Sequence, residues 1–161
     1  DSPIIRYAEV LLNYAEAMYE LGTTGKALDD ALNISLNLVR LRVNPDMPKL
    51  TTSFVSENNL NMREEIRRER TIELYNEGFR IDDLKRWNTA IVEMPKPILG
   101  VKWTGTDFAT SWAGASNMAK DSDGCLILEN SRRGGSKNDL YPLPVDQCQL
   151  NPNLGQNPGW Q

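Results

Sequence analysis

The chain has 161 residues, 40% hydrophobic and 25% charged, with a mean hydropathy of −0.50. That is long enough to bury a core and is the composition of a folded chain, not a disordered one. Lys and Arg total 18 against 22 Asp and Glu, a net charge of −4, which is the wrong sign for gripping a nucleic-acid backbone.

There is no histidine, and Cys125 and Cys148 are the two cysteines. This excludes a Ser-His-Asp or Cys-His nucleophile pair, an imidazole acid–base group and the histidine or four-cysteine zinc sites. No cofactor and no metal are expected. The cysteines could form one disulfide in an oxidising compartment, with two unlinked thiols the plainer reading. No run approaches the 18 apolar residues of a transmembrane helix. The start, Asp1-Ser2-Pro3, is neither an initiator methionine nor the head of a signal peptide, so a processed or cut beginning is expected.

Residues 3–21 read as a helix. Ser2 is the candidate N-cap, Pro3 sits in the first turn, and Ile4, Tyr7, Ala8, Leu11, Leu12, Ala15, Met18 and Tyr19 recur at spacings of three and four. Gly22 ends it, and a second helix runs from Lys26 to about Val43 through Ala27, Leu28, Ala31, Ile34, Leu38 and Leu41, stopped by Asn44-Pro45. So short a connection makes a hairpin over 3–43, with Tyr14 and Tyr19 filling the groove between its helices. It has the look of a tetratricopeptide unit, which cannot bury its face without neighbours.

Residues 44–60 read as loop, and 61–91 as a charged helical block, one helix closing at Gly78 and a shorter one from Arg80 to about Ile91. Within 62–87 there are seven basic and seven acidic side chains, a balance that suggests local ion pairing. Periodicity then vanishes over 94–139, a long irregular loop with six glycines and two of the four tryptophans. The tail, 140–161, reads as extended with turns at its prolines and asparagines.

Three segments, RYAEVLLNYAEA, EEIRRERTIELYNEGFRIDDLKRWN and YPLPVDQCQLNPNLGQNPGW, resemble in order and spacing the C-terminal part of the SusD/RagB family of outer-membrane nutrient-binding lipoproteins. The resemblance implies an all-α fold of tetratricopeptide-like hairpins with a long irregular loop and an extended tail. It also implies a non-enzymatic, lipid-anchored protein on the external face of the outer membrane. Such a protein would partner a TonB-dependent, SusC-like transporter and bind oligosaccharide or, in some members, peptide. Family members are several times longer, with a signal peptide and acylated cysteine at their start, so neither Cys125 nor Cys148 is the lipidation site. This chain would be mainly scaffold.

Two groups of residues are candidates for sites. Glu69, Arg70, Glu73, Glu77, Arg80, Asp83 and Arg86 could be a structural network in which arginines fork onto carboxylates around Gly78. The competing reading is a paired-carboxylate hydrolase built on Glu73 and Asp83, which would need two carboxylates beyond the reach of any arginine. If the network is right, Arg70→Ala or Glu73→Ala should cost roughly 3–5 kcal/mol where the partner charge stays buried.

Trp103, Phe108 and Trp112 stand among Thr, Ser, Gly and Asp, as a sugar-stacking surface would, and Trp103 with Trp112 is the candidate ligand platform. The plainer reading is that they pin the loop. Trp87 reads as packing and Trp160 as an anchor for the tail. Gly134-Gly135 with Arg132, Arg133 and Lys137 is a basic turn without the context of a phosphate loop. A tetratricopeptide-type module that holds a protein partner and meets no nutrient is the alternative function. The finish Asn157-Pro158-Gly159-Trp160 leads us to expect Gln161 at or near a natural end and Asp1 at an artificial beginning. Gene context checks this, and a start codon just upstream of Asp1 would overturn it.

Overall fold

Helix α1, Tyr7–Glu20, buries Leu11, Leu12 and Ala15 on the stripe that the spacing predicts. The structure is a computed structural model that describes residues 5–130 and 134–160. Ser2, Pro3, Ile4, Arg132, Arg133 and Gln161 lie outside the described residues. The chain forms two units, Asp1–Arg80 and Ile81–Gln161.

In the first unit, α1 ends as expected, with Gly22 at φ 83° donating its N–H to the Tyr19 carbonyl. Tyr7, placed inward by the periodicity, and Tyr14, expected in the groove between the helices, are exposed instead, while Ala8 and Tyr19 pack against the core. The expected second helix is two, α2 Gly25–Asn33 and α3 Leu36–Val43. The break follows a β-branched residue, Ile34, and falls at Ser35. The fully buried Ser35 hydroxyl donates to the Ala31 carbonyl at 2.6 Å and gives the backbone an alternative to a continuous helix. The break resets the helical phase, so Leu36 and Val39 are buried while Ile34 and Leu38 face solvent.

The expected loop at 44–60 contains a third correction, the short helix α4, Thr52–Glu57. Thr51 caps it, its hydroxyl accepting the Phe54 N–H at 3.1 Å. Just before it Leu50 is fully buried, and Asn37 satisfies both its backbone groups, at 2.7 and 3.0 Å. Helix α5, Met62–Glu73, is capped by Asn61 and stops four residues earlier than expected, because Asn76 and Gly78 both take positive φ, 62° and 87°. Leu12, Leu32, Leu36, Leu50 and Ile66 form the centre of the core, with α1 packed on α2, α3 and α5.

Helix α6, Phe79–Arg86, leads into the second unit, and Asn88 at φ 57° separates it from α7, Ala90–Glu93, where one helix was expected. The stretch 94–139 is not structureless. Strands β1, Ile98–Lys102, and β2, Cys125–Glu129, pair antiparallel with Leu99 opposite Ile127 and Lys102 opposite Cys125. Between them lie the one-turn helix α8, Phe108–Ser111, and a 3-10 turn at Ala113–Ala115.

The strands escaped the pattern search because Ile98, Leu99 and Val101 are all exposed, so β1 has no inside-outside alternation. The tail also contains a helix, α9, Val145–Leu150, where extended chain was expected. Gln156 pins it by bonding both backbone groups of Leu143, at 2.7 and 2.9 Å. Cys125 and Cys148 are free thiols. The fold is thus mostly helical, with one two-stranded sheet among the described residues. No helix among them is long and apolar enough to cross a membrane.

Gly124 closes the β1–β2 region. Its carbonyl accepts the N–H groups of Trp103 and Thr104, its φ is 82°, and an added Cβ would stand 2.5 Å from the Thr104 Cβ. Gly124→Ala should therefore destabilise the second unit by about 1–3 kcal/mol. Tryptophan emission during denaturant unfolding checks this, since Trp103 is buried beside the turn.

Candidate functional site

The charged block of the first unit is held by cations that come from other helices. Arg6, just before α1, donates Nε to both carboxylate oxygens of Glu77, at 3.0 and 2.8 Å, and Nη1 to Glu73 at 2.6 Å. Arg42 of α3 donates Nη2 to the same Glu73 oxygen at 2.9 Å. Arg40 of α3 stands 3.5 Å from Glu69. Arg70 is buried, donates Nη1 to Asn13 at 2.7 Å and lies over the Phe79 ring at 5.5 Å. Arg80 donates to the Thr71 hydroxyl at 2.9 Å. In the second unit, Arg86 donates to the buried Asp83 at 2.8 Å.

Asp83 and Arg86 pair with each other, and Glu69, Glu73 and Glu77 meet Arg40, Arg42 and Arg6. Sequence reasoning missed these three arginines. Arg6 and Glu73 are 67 positions apart, and no local spacing rule connects them.

The electrostatics follow the contacts. Hydrogen bonds from Arg6 hold the Glu77 carboxyl below the usual carboxylate range, and the same bonds to Glu77 and Glu73 push the Arg6 guanidinium up. Burial pushes Glu69 the other way, above the usual range, against the attraction of Arg40. For Glu77 the stability is present above the unfolded-chain value and is lost as pH falls through the lowered folded one. Glu73 sits between two guanidinium groups and Asp83 beside a third. The bonds of Glu73 join α5 to α3 and to the segment before α1, whereas the Asp83–Arg86 pair lies within α6.

The second unit carries the aromatic candidates. Trp103 is 5% exposed, with the Lys120 ammonium 5.8 Å from its ring, so it turns inward and offers no stacking face. Trp112 is 63% exposed and Phe108 47%, with Phe108 opening α8 and Trp112 following its last residue as the C-cap. Of the three aromatic candidates, Phe108 and Trp112 are exposed and Trp103 is buried. The nearby hydroxyls of Thr110 and Ser111 turn back to the Asp107 carbonyl, at 2.9 and 2.7 Å.

Trp87 is half-buried under Arg86. Trp160 anchors the tail by donating Nε1 to the Lys137 and Leu140 carbonyls, at 2.7 and 3.0 Å. A groove of about 460 Å³ runs between α1 and α3, floored by Ala8, Leu11 and Val39 and rimmed by Arg6 and Arg42. Among the described residues no group of Cys, Asp and Glu side chains could hold a metal ion.

The profile of the SusD family matches residues 1–160. A SusD-like carbohydrate-binding protein from Bacteroides fragilis is 30% identical over 96% of this chain, with a TM-score of 0.68. A second SusD-like protein from the same organism is 29% identical over 97%, with a TM-score of 0.63. The chain spans 28% and 25% of those two proteins, about a quarter of their length. No curated protein matches it.

The burial of each partner sets what its loss should cost. Removing Glu73 leaves Arg6 and Arg42 with side chains 30% and 63% exposed, able to turn to water, so Glu73→Ala should cost about 1–3 kcal/mol, less than for a buried pair. Arg70→Ala removes a buried guanidinium that bonds Asn13 and lies over the Phe79 ring, and should cost about 3 kcal/mol. Unfolding midpoints of the two variants check the order, and a Glu73→Ala loss larger than that of Arg70→Ala would contradict it.

Proposed function

Since the chain belongs to the SusD family, we propose that it is the scaffold portion of a nutrient-binding component of an outer-membrane uptake system, with a glycan as the ligand. One observation carries this reading. The family profile runs through 1–160, and a relative described as carbohydrate-binding aligns with 96% of the chain. In this proposal the complete protein is lipid-anchored on the external face of the outer membrane. It hands its glycan to a TonB-dependent, SusC-like transporter and catalyses nothing. The carboxylates of Glu73 and Asp83 are engaged by arginines, which supports a binding role over the paired-carboxylate reading.

A scaffold role for this portion is supported by what a sugar site requires. Glycan recognition needs several convergent polar groups beside a stacking face on rigid support. Phe108 and Trp112 supply exposed rings, yet the hydroxyls nearest to them are bonded to backbone and α8 is a single turn. Most of the ligand contacts would then come from other parts of the complete protein.

Calorimetry with a panel of oligosaccharides and peptides tests the proposal on both forms of the protein. The full-length protein should bind one class of glycan saturably, and the 161-residue chain should bind the same glycan weakly or not at all. Trp112→Ala should lower full-length affinity by no more than a few-fold, about 1 kcal/mol. Binding of peptides alone would replace the ligand class. Tight binding by the 161-residue chain, abolished by Trp112→Ala, would move the site into this portion. Failure of the full-length protein to co-purify with its transporter would remove the partnership.

A further inference from the structure

Arg40 and Glu69 form a largely buried ion pair of the first unit that does not close into a hydrogen bond. The Arg40 side chain is 3% exposed and that of Glu69 12%, so both charges have largely left water. Their closest approach, Arg40 Nη1 to Glu69 Oε2, is 3.5 Å, and Arg40 Nε and Nη1 are buried with no hydrogen-bond acceptor. Two desolvated charges that do not close into a hydrogen bond bear the cost of burial and gain only part of the compensating attraction.

The surroundings do not make up the difference. On α5 itself, Glu65 and Glu73 repel the charge of Glu69, and Arg68 attracts it. On α3, Arg42 is engaged with Glu73, and ahead of α1, Arg6 is engaged with Glu73 and Glu77. The other ionisable side chain buried on α1 is a carboxylate, Glu16. Burial outweighs the attraction of Arg40 and Arg68 and holds the Glu69 carboxyl above its ordinary range.

We propose that the Arg40–Glu69 pair works against the fold at neutral pH, and that Glu69 is the group through which mild acid tightens the seam between α3 and α5. The direction follows from linkage. A carboxyl raised in the folded state takes up its proton in the native protein before it does in the unfolded chain. Stability therefore rises as pH falls from neutral through the folded value. Further acid removes the Arg6–Glu77 bond, whose carboxyl is lowered, and stability falls again. This runs opposite to the usual outcome of removing one member of a buried pair, a strong destabilisation.

The four tryptophans, Trp87, Trp103, Trp112 and Trp160, all lie in the second unit, so their emission follows that unit, while ellipticity at 222 nm also carries α1 to α5. Denaturant unfolding of the 161-residue chain, read by both signals, tests the proposal. The ellipticity midpoint of the wild type should rise as pH is lowered from 7 to about 5. Glu69→Gln should have a midpoint at pH 7 equal to or above that of the wild type, and flat over the same interval. Carbon-13 titration of the wild-type glutamates should give Glu69 the highest midpoint in the first unit. A lower midpoint for Glu69→Gln at pH 7, failure of that variant to fold, or a Glu69 titration in the ordinary range would each overturn the proposal.

Discussion

Helix α5 carries Glu65, Glu69, Arg70 and Glu73 on or beside the face that buries Ile66, and a helix so charged can enter a core only if counter-charges reach it. Arg6 meets that requirement for Glu73 and Glu77, Arg42 joins at Glu73, and Asn13 receives Arg70. These bonds tie the segment before α1, α1 itself and α3 to α5. Their partners lie 31 to 71 positions away in sequence. The leucines of α1, α2 and α3 supply the apolar burial, and the arginines select which face of α5 meets them.

The second unit is built differently. Its large buried side chains are few, Leu84, Trp103 and Leu126, and much of its order comes from side chains that bond backbone. Asp121 accepts the N–H groups of Asp123 and Cys125, and Lys120 donates to the carbonyls of Ser116 and Met118. Asn157 donates to the Tyr141 carbonyl and Trp160 to two more. In a segment with little apolar area, local polar bonds of this kind satisfy the backbone where secondary structure does not. The finish Gln156-Asn157-Pro158-Gly159-Trp160 can be understood physically as a clasp. Its side chains bond the chain between Lys137 and Leu143, and Gly159 leaves room for the Lys137 side chain, whose Cβ would stand 2.6 Å from an added methyl.

The sequence by itself determined that the chain is mostly helical, where α1 begins to repeat, and that charge balances within 62–87. Those properties depend on residues three and four apart or on composition. The absence of histidine likewise narrowed the chemistry before any coordinates. Tertiary structure decided the rest. Whether Lys26 to Val43 was one helix or two depended on a buried Ser35, and burial is not a local property. Strand β1 shows no alternation because Ile98, Leu99 and Val101 are all exposed, and its pairing with β2 joins residues more than twenty positions apart. Trp103 and Trp112 read alike in sequence, yet one is buried and the other exposed. Arg6 carried no local signal for its role, because a bond across 67 positions exists only after the chain has folded.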